Sequence, residues 1–367
     1  MRLKVRDLSF AVLGGVFCVG AAIAAPFAPF ADDSDLSGGA LWTAQTVRLV
    51  APEFKPDRVE TAALEGQLLI EVLREIHGIA TPVQGLRFSG KGLLQRATDG
   101  DGKAFWPPVC DGTSRSSVAL RAALKDPHFS VKAAGGRDYA VSVDVPCSGH
   151  LKVIFKEDSD GGQALGIWQI ASRAKQMLKQ SVGLGFWNSS LDFIWPEQAD
   201  YYNFGQVHIS RGDHWDVVGH EMGHGIYDLG KMGQFGGGEH KIDECYSETL
   251  ALSEGWASYF SAWVSVSLDD ADAKFEYMVP RRAPLRFEAI PADVCVGPSN
   301  EWRVTGFFWD LIDLHADGET STEAFARVWN AVSGKGSDST VDAAAHLKRA
   351  GFDAAAVDLA WSLNFQH

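Results

Sequence analysis

Basic charge is what this sequence has least of for its size. Its 367 residues carry 33 Lys and Arg against 47 Asp and Glu, a formal net charge of −14. That balance argues against holding nucleic acid or an anionic membrane through the overall field of the protein. Cysteine is scarce as well, five residues in all, and no two stand as C-x-x-C. The usual cysteine-ligated zinc sites therefore have no support. Beyond residue 25 no apolar run is long enough to span a bilayer. There is no internal repeat, which sets solenoids and propellers aside. What remains is a well-mixed chain, 46% hydrophobic, able to bury a large core and expected to form two domains.

The first residues have a different composition. Arg2, Lys4 and Arg6 precede an apolar run from Leu8 to Ala25, and Ala22-Ile23-Ala24 places small residues at its end. This is the anatomy of a signal peptide over 1–24, and it predicts a secreted or periplasmic chain whose mature form does not span the membrane. An uncleaved anchor is the other reading, because the run is nearly long enough to cross. Removing Cys18 with the leader leaves Cys110, Cys147, Cys245 and Cys295. Four cysteines in an exported chain predict two disulfides with three possible connectivities. The domain boundaries favour Cys110–Cys147 and Cys245–Cys295.

The pattern along the chain predicts an α+β protein. A Pro-, Asp- and Gly-bearing linker (25–40) leads into an all-β sandwich (41–157) of short strands between turns, including 67–72, 85–88, 92–97, 118–124, 129–132, 139–145 and 151–155. Residues 59–76 also fit a helix opened by Asp57 and Glu60. Asp99-x-Asp101-Gly102 has too few oxygen ligands for a calcium loop and is expected to be a tight turn. A mainly helical domain comes next (158–367), with a small sheet that has Gln206 to Ser210 as its edge strand. Helices are expected over 163–181, 243–266, 301–311, 322–332, 341–350 and 354–363. The glycine-rich stretch from Gly230 to Gly238 reads equally well as a lid or as an inert insertion.

The stretch with chemical content is His220-Glu221-Met222-Gly223-His224. On a helix, four residues are about one turn, so both imidazoles project from one face. Two neutral imidazoles so placed can bind one zinc ion, with Glu221 within reach of a water on the open side. Asp216, Val217 and Val218 ahead of them predict a half-buried helix.

Together with Leu252-Ser253-Glu254-Gly255-Trp256-Ala257 downstream, this pentad resembles the zinc-binding helix pair of the gluzincin metallopeptidases. Gly78 to Gly85 and Thr98 to Gly102 resemble the strand–turn order of transthyretin-like or immunoglobulin-like modules that precede many secreted hydrolases. The first resemblance implies that Glu254 is the third metal ligand, and that the strand before the zinc helix pairs with an extended substrate. Tyr227 and Gly230 stand where a metzincin would have its Gly and third His, so that pattern is absent. Asp243, Glu244 and Glu248 are the other nearby acids, with His240 just before them. Gly255 and Ala257 favour Glu254 by allowing close approach to the zinc helix. Ser258 stands where thermolysin-like members have an Asp that orients a ligand His, so outer support for the imidazoles is expected from elsewhere.

The resemblance implies a zinc-dependent peptidase acting on protein or peptide. His220, His224 and Glu254 would bind Zn²⁺ and Glu221 would act as general base. Tyr259, Tyr277 and His214 are the candidates for stabilising the oxyanion. No Gly-Ala-Met-Glu-Asn type segment lies upstream, which favours an endopeptidase. Two alternatives use the same ligands: a zinc hydrolase of a non-protein substrate, and a binding or scaffold protein with a structural zinc site. Specificity and oligomeric state have no signal in the sequence.

Overall fold

The computed structural model describes residues 50–108, 117–315 and 322–366. The predicted leader (1–24), the linker (25–40) and Cys110 lie outside these. The described chain is mixed α+β. Its first half holds β1 (Glu53–Phe54), β2 (Arg58–Ala62), β3 (Leu68–Ile76), β4 (Ile79–Pro82), β5 (Arg87–Ser89), β6 (Arg96–Ala97), β7 (Lys103–Trp106), β8 (Ser117–Ala123), β9 (Phe129–Lys132), β10 (Ala140–Pro146) and β11 (Gly149–Lys156). One sheet has the order β1-β10-β8-β5-β6, and a second has β2-β11-β3-β4 with β7 also on β3.

Residues 59–76 form strands and not a helix. Leu68, Ile70 and Val72 alternate into the core, a period of two that helical spacing would break. The predicted turn at Asp99 is present: Asp99 Oδ1 accepts from the Asp101 and Lys103 amides at 3.0 and 2.9 Å. Gly102, at φ +75°, closes it where a Cβ would stand 2.5 Å from the Val72 carbonyl oxygen.

The second half begins with α1 (Asp160–Ser181), capped by the Ser159 side chain on the Gly162 amide. Then come β12 (Leu191–Ile194), β13 (Tyr201–Asn203), β14 (Gln206–His208), α2 (Trp215–Leu229) and α3 (Glu248–Ser265). The chain continues through β15 (Lys274–Phe275), β16 (Leu285–Arg286), α4 (Glu301–Trp309), α5 (Phe325–Val332), α6 (Thr340–Arg349) and α7 (Ala354–Phe365). No described helix is long and apolar enough to cross a membrane.

One expectation fails in the small sheet, whose order is β13-β14-β12-β9. The strand ahead of the paired histidines, β14, is not an edge. It is hydrogen-bonded to β12 on one side and to β13 on the other, because Phe204 and Gly205, both at positive φ, turn the chain back as a tight hairpin. The opposite edge is β9, from the first half of the chain, paired in parallel with β12. A cut near residue 157 therefore runs through a shared sheet. Apolar side chains from both large sheets, from α1 and from α2 to α4 also share one continuous core, while Val217, Ala262, Trp302 and Trp309 belong to a second cluster.

Candidate metal centre

The helix carrying the pentad is buried on nearly all sides, not half-buried as its pattern suggests. Every residue from Asp216 to Tyr227 is buried. Asp216, read as its polar side, accepts from the Glu276, Tyr277 and Met278 amides at 2.8, 2.7 and 3.2 Å. A buried carboxylate fully engaged by backbone donors is tolerated where a bare one would not be.

Small residues let this helix touch its neighbour. A Cβ on Gly219 would stand 2.3 Å from Ser261 Oγ, and one on Gly223 would stand 2.7 Å from the Ala257 carbonyl oxygen. Ala257 thus faces α2 as expected. Gly255 does not: it faces α4, where a Cβ would meet Val304 at 2.5 Å and the Glu301 carbonyl oxygen at 2.8 Å. Its absent side chain draws a third helix, with Glu301 at its start, up to Glu254.

His220, His224 and Glu254 converge. The two Nε2 atoms are 3.2 Å apart, and Glu254 Oε2 lies 3.2 Å from the first and 3.1 Å from the second. All three side chains are buried. Donors held about 2.0–2.1 Å from a tetrahedral zinc stand about 3.3 Å from one another, so the triangle has the right size. Each ring nitrogen offers one N–H or one lone pair and the carboxylate oxygen only accepts, so the three atoms cannot all satisfy one another. A shared cation resolves the conflict, and the donor set fits one.

Burial holds His220 down to about 4, against the pull of Glu254, and a neutral imidazole is what a metal requires. Glu254 is held well below the usual carboxylate range: burial works against this, but His224, His240 and His220 outweigh it. Glu221 is pushed well above its ordinary value by burial first, then by Asp200 and Glu254. It is a strong proton acceptor on the same helix as the two imidazoles.

Support for His220 comes from the residue that the sequence seemed to disqualify. Ser258 Oγ lies 3.0 Å from His220 Nδ1. With Nδ1–H donated to the hydroxyl oxygen, the Nε2 lone pair points at the triangle. Ser258→Ala should therefore lower metal affinity by about 10–100-fold with the fold intact. Competition against a chromophoric chelator measures this, and unchanged affinity would remove Ser258 from the site.

Two further residues stand against the triangle. His240 Nε2 is 3.8 Å from Glu254 Oε2 and 3.2 Å from Glu301 Oε2, while His240 Nδ1 donates to the Gly238 carbonyl at 3.2 Å. With Nδ1–H committed, the Nε2–Glu301 contact calls for an imidazolium. Burial opposes that charge, but Glu301 and Glu254 outweigh it and push His240 up to about 10. This second group, His240, Glu254 and Glu301, shares the Glu254 carboxylate with the first and could also hold a metal ion.

Sequence reasoning misses the His240–Glu301 pair because it depends on a long-range strap. Cys245 is bonded to Cys295. Asn300 Nδ2 donates to the Ile242 and Glu244 carbonyls at 2.8 and 2.9 Å, and the Tyr246 amide donates to Ser299 O at 2.9 Å. Asp243 is clamped by Arg281 and Arg282. Together these fix the segment after the glycines against the entry to α4. The one local signal is an acidic residue, Glu301, opening an aromatic-rich helix whose other charge is Arg303. Cys147 is also disulfide-bonded; its expected partner, Cys110, lies outside the described residues.

Part of the glycine-rich stretch packs on the helix of the paired histidines, while Gly237 and Gly238 are exposed. Phe235 sets its ring edge-on to His224 at 6.4 Å and also packs on Tyr227 at 5.2 Å. Tyr259 lies among Trp256, Phe308 and Phe325. His214 and Tyr277 stack on each other at 4.6 Å, at the start of α2. The chain matches no protein-family model and no curated protein sequence.

Proposed function

We propose that the chain is a secreted zinc-dependent peptidase of the gluzincin type, with an N-terminal β-sandwich module ahead of its catalytic half. The observation carrying this reading is the closed triangle of His220 Nε2, His224 Nε2 and Glu254 Oε2, with the basic carboxylate of Glu221 on the same helix. Zinc held there supplies Lewis acidity to the scissile carbonyl and to an attacking water. Glu221 takes the water's proton and hands it to the leaving amine nitrogen. Ser258 keeps His220 in the binding tautomer, and Phe235 limits water around His224.

His240 Nε2 stands 3.2 Å from Glu301 Oε2 and 3.8 Å from Glu254 Oε2, and its part is positional. Its charge, anchored by Glu301, keeps Glu254 ionised and turned toward the imidazoles. A structural zinc site would have no use for Glu221, a buried carboxylate with raised proton affinity. The test is cleavage of a mixed peptide library with and without a zinc chelator. The expected result is internal cleavage that the chelator abolishes and added zinc restores. Chelator-sensitive hydrolysis of esters or glycans, with every peptide left intact, would transfer the same chemistry to a non-protein substrate. No hydrolysis of any kind would overturn the enzyme reading.

A further inference from the structure

Glu254 belongs to two sets of metal donors, one with His220 and His224 and one with His240 and Glu301. The donor atoms of the second set all lie within 4.8 Å of one another. His240 Nε2 is 3.2 Å from Glu301 Oε2 and 3.8 Å from Glu254 Oε2, and all three side chains are buried. The shorter spacing is that of two donors on one zinc, and the longer suits a wider angle between bonds. An ion in such a place is wrapped by its ligands and needs no open cavity.

Three features separate this group from an ordinary buried ion pair. His240 Nδ1 donates to the Gly238 carbonyl at 3.2 Å, the outer contact that turns the other ring nitrogen of a metal-binding imidazole toward its ion. Glu301 meets His240 through Oε2, and among the described residues its buried Oε1 has no hydrogen-bond partner. A buried carboxylate matched at one oxygen is costly, and an ion held through both oxygens would match it. Carboxylates are also in excess: Glu221 feels the charge of Asp200 and Glu254, and Glu301 feels that of Glu254. One divalent ion offsets two of these four groups, and a second offsets the others. The donors are held in place as well, since Asn300, next to Glu301, donates to the Ile242 and Glu244 carbonyls just beyond His240.

We propose that His240, Glu254 and Glu301 bind a second divalent metal ion beside the first, with Glu254 as the shared ligand. Imidazole and carboxylate donors suit zinc, and cobalt(II) in its place. With one zinc bound, a proton on His240 Nε2 holds Glu301 and Glu254 together; the second ion takes that proton's place on the same lone pair, and the proton leaves to solvent. The wider spacing makes this the weaker site, so one equivalent survives dialysis and the second enters only with free metal present. The proposal rests on the first group's being a metal centre, and not on the substrate it serves.

Equilibrium dialysis of the full chain against rising free zinc counts the ions. Two equivalents are expected, the second weaker than the first. His240→Asn and Glu301→Gln should each keep one equivalent and bind the second at least about tenfold more weakly. Cobalt(II) gives an independent readout, because two paramagnetic ions on one carboxylate couple. The electron paramagnetic resonance signal of the one-cobalt chain should therefore change shape or fade as the second equivalent enters. A single equivalent at every zinc concentration, a second equivalent held equally well by both folded variants, or cobalt signals that merely add would each overturn the proposal. If neither variant folds, the cobalt titration of the unaltered chain decides. A single equivalent that His224→Asn abolishes would leave the first site and the peptidase reading standing, whereas no bound zinc at all would remove both sites together.

Discussion

Glu221→Gln should abolish peptide hydrolysis while leaving the zinc in place. The amide has the shape of the carboxylate and fills the same buried space, so neither helix packing nor the His220, His224 and Glu254 donors change. What disappears is the capacity to take a proton from water and return it to the departing nitrogen. A general base of this kind contributes about 10²–10⁴-fold to rate. Burial, Asp200 and Glu254 raise the proton affinity of Glu221. The expected outcome is a fall in kcat of about a thousand-fold, with KM little moved and one zinc per chain by metal analysis. Full activity in a zinc-loaded Glu221→Gln chain would refute the mechanism, whatever the metal content of the site.

Much of this site is legible in the residues themselves, because its central contacts are local or carried by helical period. Four residues on a helix bring His220 and His224 together, their ring centroids 4.7 Å apart. Small residues beside Glu254 signal close helix packing, although the sequence does not say that Ala257 serves α2 while Gly255 serves α4. The boundaries of α1, α4, α6 and α7 are readable for a similar reason: Ser159, Asn300, Ser339 and Asp353 each cap the next helix with their own side chain.

The illegible part depends on pairings with no local signature. The alternation of Gln206 to Ser210 reveals a strand but not how many neighbours it has, and β13 occupies the edge that a bound substrate was expected to use. Phe129 to Lys132 reads as a strand of the first half, and only its register on β12 shows that the two halves share a sheet. His240 comes after three glycines and carries no periodic signal. Its place beside Glu254 is set by a disulfide that links residues 50 apart in sequence. Ser258 differs from expectation for another reason: a shorter side chain than Asp reaches His220 because α2 and α3 approach so closely at Gly223 and Gly219.

Glu254→Ala isolates the remaining premise, that the carboxylate binds metal rather than merely filling the core. Without it two neutral imidazoles remain, and no anion offsets a divalent charge in a buried site. Zinc affinity should fall by more than the 10–100-fold that loss of an outer-shell partner costs, and Glu254→Gln, which keeps an oxygen donor without the charge, should lie between. The metal-free protein should change far less. Truncating one member of a buried ion pair costs about 3–5 kcal/mol when it strands the other charge, but here His240 keeps Glu301 at 3.2 Å, so its charge is not stranded. The two effects separate in a thermal melt. Zinc at a hundred times its dissociation constant should stabilise the parent by about 2.7 kcal/mol through mass action and leave Glu254→Ala almost unmoved. Equal stabilisation of both chains would mean that the bound ion does not use this carboxylate. The triangle would then be a hydrogen-bonded knot in the core, and the arrangement of His240 and Glu301 around it would lose its reason.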